Sequence, residues 1–207
     1  MSQVIGLFAT PLMRVERAID PALTAALCAR ALALERSVVN TRDAKLSHSP
    51  LFAPGADPQF AALAAALTPR LVEFGMLLFG ERLDWSIKEL WLNVLEPGAS
   101  QALHNHANSF VSGVLYLTRP HASTLTVFCK PPGSGFAFAN THAGSTLGPF
   151  NADKWVAPPA EPGDLLLFPS HLLHEVPVNA GERRLSLAFN AIPDRLESWG
   201  YTLRFSA

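Results

Sequence analysis

Glu89-Leu90-Trp91-Leu92-Asn93-Val94-Leu95-Glu96-Pro97-Gly98 is the stretch from which the fold of this chain is read. Leu90, Leu92 and Val94 alternate with Glu89, Trp91 and Asn93. A period of two places the aliphatic set on one face of a strand and the other set on the opposite face. Pro97-Gly98 then turns the chain. Extended patterns return at 110–117, 125–129, 164–168 and 185–191. Many short strands separated by turn residues predict an antiparallel sandwich or barrel.

Before Trp85 the period is helical. Residues 4–15 resemble a short strand broken at Pro11. Asp20-Pro21 supplies an N-cap and a first-turn proline, and Leu23, Leu27, Ala31 and Leu34 follow as one apolar stripe. Asp57-Pro58 repeats the start signal ahead of Leu63, Leu67, Leu71 and Phe74. Pro69 inside this second stripe should kink the helix or restart it after Thr68. Residues 40–58, with three prolines and a glycine, read as a loop. Residues 131–162 form a second long loop, of the kind often used to cover a substrate. Its Phe136, Phe138, Phe150 and Trp155 could line an apolar pocket or pack on the helices. The expected architecture is α+β and mainly β, with residues 1–84 as helical buttress and 85–207 as the strand-rich core of a single domain, 1–207.

Composition narrows the function classes. The 207 residues are 49% hydrophobic with a formal net charge of −1, so no basic stripe supports nucleic acid or an anionic membrane as partner. No run of about 18 uninterrupted apolar residues marks a membrane span. The N-terminus lacks a charged n-region and a long apolar core, and a cytoplasmic location is expected. Cys28 and Cys129 are far apart and form no metal or redox motif, which leaves them as small buried hydrophobes.

The chemistry-bearing residues are His104, His106, His174, Arg184 and Ser186. In a strand, His104 and His106 point to one side, and His174 from a distant strand would complete three imidazoles on one face of an octahedral metal ion. The opposite face would stay open, as redox chemistry at non-haem iron requires. A lone HxH more often marks two solvated histidines; here the downstream histidine and arginine change the balance. Period-two alternation puts Arg184, Ser186, Ala188 and Asn190 on one face, a grip for a carboxylate, and turns Arg183 outward. A surface ion pair of Arg184 with Glu175 or Glu182 is the competing reading.

The segments Trp91-Leu92-Asn93-Val94-Leu95-Glu96-Pro97-Gly98, His104-Asn105-His106-Ala107-Asn108-Ser109 and Ser112-Gly113-Val114-Leu115-Tyr116-Leu117 resemble a mostly bacterial family of 2-oxoglutarate- and Fe(II)-dependent oxygenases. So do Gly163-Asp164-Leu165-Leu166-Leu167-Phe168-Pro169-Ser170, His174-Glu175-Val176 and the run from Gly181 to Asn190. The opening Leu7-Phe8-Ala9-Thr10-Pro11-Leu12 resembles that family's first strand. The resemblance implies a double-stranded β-helix, the jelly-roll or cupin-like core, with the metal at one mouth. It implies His104 and His174 as Fe(II) ligands, and Arg184 with Ser186 on the far carboxylate of 2-oxoglutarate. The wider superfamily has Asp or Glu where this chain has His106. Either His106 ligates, giving a three-histidine site, or a water or substrate takes its place.

The implied reaction is a dioxygenase reaction: O2 and 2-oxoglutarate are consumed, succinate and CO2 are released, and an unknown small molecule or protein side chain is hydroxylated. Two other readings stay open. One is a cupin-like three-histidine dioxygenase that needs no 2-oxoglutarate; the other is a non-enzymatic metal- or ligand-binding jelly roll. Asn93 could reach the cosubstrate or make a cross-strand hydrogen bond, and Ser112 and Tyr116 are weaker candidates of the same kind. His171 should be exposed, while His48, His121 and His142 are given no role. An edge strand from the N-terminal segment could support a homodimer.

Overall fold

The computed structural model describes residues 2–34, 39–40, 46–131, 133, 140 and 142–206. Two antiparallel sheets face each other. The larger takes β1 (Met13–Val15), β9 (Leu165–Pro169), β6 (Val111–Tyr116), β11 (Arg184–Pro193), β4 (Trp85–Leu95), β3 (Leu46–His48) and β2 (Val39–Asn40), in that order across the sheet. The smaller takes β5 (Gln101–His104), β10 (His174–Val176), β7 (Val127–Cys129) and β8 (Lys154–Val156). With its mainly β content this is the double-stranded β-helix, buttressed by α1 (Pro21–Leu34) and α2 (Pro58–Phe79). A hairpin of β12 (Arg195–Ser198) and β13 (Tyr201–Arg204) closes the chain.

β11 is the central strand and its alternation organises the molecule. Its register matches Ser186 to Asn93 on β4 and to Tyr116 on β6, and Asn190 to Ser112. Leu185, Leu187 and Phe189 face the other way, with Leu90, Leu92 and Val94 of β4, onto the helices. There they meet Leu27 and Ala31 of α1 and Leu63, Leu67, Leu71 and Phe74 of α2, all buried. Gly113 lies opposite Phe189, and a Cβ at Gly113 would collide with that ring. Glycine is therefore what lets the Phe189 ring lie flat across β6.

The helix starts follow the local signals. Asp20 Oδ1 accepts from the Leu23 N–H at 2.8 Å, and Asp57 Oδ1 accepts from the Gln59 N–H at 2.8 Å. α2 runs without a break through Pro69. The proline costs about 3 kcal/mol in a helix interior. Burying Leu67 and Leu71 on either side of it returns about 2–3 kcal/mol each. α2 is long and apolar enough to cross a membrane, and here its apolar stripe is buried on the sheet.

Other expectations are corrected in the first half of the chain. Of 4–15 only Met13–Val15 is a strand, paired with β9. The 40–58 segment is not a plain loop: it carries β3, which pairs with β4 and matches His48 to Asn93. Within 131–162, β8 pairs with β7, and Phe150 and Trp155 are exposed. Phe136 and Phe138 lie outside the described residues.

Candidate functional site

β5 and β10 are adjacent in the smaller sheet, and their register sets His174 directly against His104. His106 follows two residues past the end of β5. Its backbone N–H donates to the Ser170 carbonyl at 2.9 Å, which turns the chain back toward β10. The imidazole centroids lie 4.2 Å apart for His104 and His174, 5.1 Å for His106 and His174, and 5.2 Å for His104 and His106. One nitrogen from each ring lies within 4.8 Å of the others. The sequence expectation that these three side chains share one cavity is met in the geometry.

Two of the rings are held in the tautomer that a metal needs. His104 Nδ1 donates to the Ala102 carbonyl at 2.8 Å, and His174 Nδ1 donates to the Leu172 carbonyl at 2.9 Å. In the neutral ring each leaves an Nε2 lone pair free to ligate. Gln101 Nε2 lies 3.3 Å from His104 Nε2, so its amide donates to that lone pair. Burial, with the neighbouring His104, lowers His106 to about 4; Glu89 works in the opposite direction. Burial also lowers His174 to about 3 against the Leu172 carbonyl, with His104 and His106 adding to the fall. Both rings are thus uncharged bases near neutral pH. Phe168 packs edge-on to His174 with centroids 4.8 Å apart, and the Trp91 ring lies 5.5 Å from His106.

Behind His106 runs a buried polar chain. Ser109 meets Ser170 at 3.0 Å, Ser170 meets Ser112 at 2.9 Å, and Ser112 donates to Asn190 Oδ1 at 2.7 Å. Asn190 Nδ2 donates to Glu89 at 2.8 Å, and Glu89 pairs with Lys88 at 3.1 Å. Ser112 therefore belongs to a scaffold that fixes β6, β11 and the turn before β10.

On the larger sheet, Arg184 projects into the same cleft and is 4% exposed. Its guanidinium carbon sits 5.2 Å from the Tyr116 ring centroid. Its Nε and the Tyr116 hydroxyl are both buried without a hydrogen-bond partner. The competing surface ion pair is not formed: Glu175 pairs with Lys154 at 2.6 Å. Arg183 instead reaches outward to Glu96 at 2.7 Å. Ser186 and Asn93 are buried beside Arg184 and line the cleft. A buried guanidinium whose Nε finds no partner is costly unless an anion is meant to meet it.

The cleft is narrow at its interior end, about 20 Å³ between Arg184, Phe168 and the histidines. It opens past Trp91, Asn93 and Gln101 into a groove of about 570 Å³. His48 and Gln101 line that groove and were not singled out by the sequence. His48 gains its place only through the pairing of β3 with β4, which no local pattern announces. Gln101 sits three residues before His104, and reading 101–104 as a strand would have drawn it in. His171 is exposed, and His121 caps a short 3-10 turn by accepting from the Ser123 N–H. His142 lies in the 131–162 loop, is exposed and is not part of the cleft lining.

Comparison with known proteins accords with this geometry. Among solved structures, HygX of Streptomyces hygroscopicus, crystallised with nickel and 2-oxoglutarate, is 17% identical at a TM-score of 0.65, over 89% of this chain and 83% of that one. A Pseudomonas putida prolyl-4-hydroxylase is 21% identical at 0.58, over 87% and 92%. The epimerase SnoN of nogalamycin biosynthesis is 16% identical at 0.65, over 90% and 80%. At these identities the likeness is one of fold, and the different reactions show that the fold does not choose the outcome. No curated protein matches the sequence. Residues 89–190, the strand-rich core, match the family model described as "Putative 2OG-Fe(II) oxygenase", and assignment to the 2-oxoglutarate- and Fe(II)-dependent oxygenases fits the chain.

Proposed function

We propose that this chain is a 2-oxoglutarate- and Fe(II)-dependent dioxygenase that hydroxylates its substrate and releases succinate and CO2. The observation that carries the reading is the meeting, in one cleft, of three imidazoles with a buried guanidinium that has no counter-charge among the described residues. The donor set fits a divalent transition metal: neutral imidazole suits Fe(II), and two of the three rings have Nδ1 tied to a carbonyl. His104, His106 and His174 would hold the iron on one side. Iron with 2-oxoglutarate supplies the activation of O2 that drives oxidative decarboxylation and oxidation of a C–H bond.

The protein's own part is binding, orientation and exclusion of water. Arg184 offers a fork of donors for the carboxylate of 2-oxoglutarate farthest from the metal. Ser186 and Asn93 line the cleft and add polar contacts around it, and the Tyr116 ring packs against the Arg184 guanidinium. Phe168, Val114 and Ala188 wall the interior end and keep it dry. Cys28 and Cys129 are both free, which supports a reducing, cytoplasmic setting.

The test is anaerobic addition of Fe(II) and then 2-oxoglutarate to metal-free protein. A weak visible charge-transfer band that needs both, and succinate formation once O2 is admitted, are the expected results. Tight iron binding with no band would overturn the 2-oxoglutarate reading and leave a three-histidine dioxygenase whose substrate binds the metal itself.

A further inference from the structure

The groove outside the cluster is lined by Leu46 and His48 of β3 and Trp91 and Asn93 of β4 in the larger sheet, by Gln101 of β5 in the smaller one, and by Leu51. It shares Trp91, Asn93, Gln101, His104 and His106 with the inner cleft, so a molecule seated in it abuts the proposed metal site. Its volume, about 570 Å³, falls within the range of small-molecule sites, roughly 300–1,000 Å³. Among the described residues that line it there is no Asp, Glu, Lys or Arg. The nearby charges Lys88 and Glu89 pair with each other at 3.1 Å, and Glu89 also accepts from Asn190. A charged group carried into this groove would lose water without finding a charged partner among the described lining residues, which is costly.

The polar groups present have amide-like chemistry. His48 Nδ1 is bonded to the Ser49 carbonyl at 3.0 Å, which in the neutral ring leaves Nε2 as an acceptor. Gln101 offers an acceptor oxygen, and its amide N–H groups are freed for the groove once His104 Nε2 is taken by a metal. Leu46, Leu51 and the Trp91 indole supply flat apolar surface between them.

We propose that the groove selects an uncharged small molecule with a flat apolar body and amide-type hydrogen-bonding groups, and that His48 and Gln101 are its specificity-determining residues. The dioxygenase reading above supplies only the position of the reacting centre; the recognition chemistry comes from the groove itself.

Three probes with one phenyl body test the charge rule: N-acetylphenylalaninamide, which is neutral, N-acetylphenylalanine, an anion, and phenylalaninamide, a cation. Binding is read by saturation-transfer NMR on the full chain with Zn(II) and 2-oxoglutarate added. The neutral probe should bind at least about tenfold more tightly than either charged one. His48→Phe and Gln101→Leu should each weaken it roughly fivefold, as expected for loss of one hydrogen bond. Equal or tighter binding of a charged probe, no binding of the neutral probe at millimolar concentration, or full binding by both variants would overturn the proposal. The Fe(II)–2-oxoglutarate band of the unaltered protein, recorded on the same preparation, separates the two failures. With the band present, the groove rule alone has failed; with it absent, the cosubstrate reading has failed whatever the probes do.

Discussion

Replacing Arg184 by Met should make the ligand-free protein more stable and its binding of 2-oxoglutarate far weaker. Arg184 is buried, no carboxylate pairs with it among the described residues, and its Nε has no partner. An unsatisfied buried polar group costs about 1–3 kcal/mol. The stacking on Tyr116 at 5.2 Å returns about 1 kcal/mol of that. Methionine keeps most of the apolar volume and removes the unmatched charge, so the net gain should be on the order of 1 kcal/mol. For a chain of this size that is a rise of roughly 2–4 °C in Tm. Against the cosubstrate the sign reverses: two charge-assisted hydrogen bonds to a carboxylate, at about 1.5–3 kcal/mol each, would be lost. The Kd for 2-oxoglutarate should rise by roughly a hundredfold or more. Thermal melts with Ni(II), with and without 2-oxoglutarate, read both effects together. A variant that melts lower in the absence of ligand, yet keeps the cosubstrate's stabilisation, would refute the assignment and make Arg184 a structural residue.

His106→Ala should weaken Ni(II) binding by at least about a hundredfold in calorimetry, since loss of mere outer-shell partners already costs roughly 10–100-fold; His106→Asp should recover binding, and unchanged affinity in the alanine variant would remove His106 from the ligand set. Asp164 accepts from the Arg17 and Glu161 N–H groups and from Arg14, and these outweigh a burial that by itself would raise its pKa, so the net shift is downward. Its contribution is therefore complete above the unfolded carboxylate value of about 3.9 and is lost as pH falls through the lower folded value. Asp164→Asn should cost on the order of 2 kcal/mol at pH 7, with the two unfolding curves converging below about pH 4; a constant gap across that window would contradict the linkage. Gly113→Ala should lower Tm by roughly 5 °C through its collision with Phe189, and Phe189→Leu in that background should recover part of the loss. An unchanged melt for Gly113→Ala would mean that the Phe189 ring moves aside at little cost.

Period-two reading succeeded where one strand carries both of its faces in its own sequence. On β11 the alternation that separates Arg184, Ser186 and Asn190 from Leu185, Leu187 and Phe189 is also the division between cleft and helix-packed core. The order of His104, His106 and His174 was legible because a jelly roll brings the end of β5 against the start of β10. What stayed hidden depends on partners far away in sequence. Leu46-Ser47-His48 has too few residues for a pattern, and it is a strand because β4 offers it an edge. Pro69 obeys its local cost, which burial on both sides overrides. The closing hairpin turns at Trp199 and Gly200 with φ of 55° and 84°; the glycine fits that turn, but a tryptophan before it is not among the usual signals.

The charge distribution of the cleft follows from these placements. With histidine rather than a carboxylate at 106, the described lining of the inner cleft presents three imidazoles and one cation, Arg184. Glu89, the acid whose charge acts on His106, is committed to Lys88 and Asn190. In a site of this kind a divalent metal adds positive charge with no protein anion beside it. On the proposed reading the compensating charge must arrive with the cosubstrate, which makes metal and 2-oxoglutarate binding mutually reinforcing: each lowers the cost of burying the other. A site with an aspartate at 106 would hold its metal well alone and gain less from the dianion. Among the described residues the adjoining groove has no charged side chain in its lining, so the substrate proposed for it is recognised through hydrogen bonds and apolar contact.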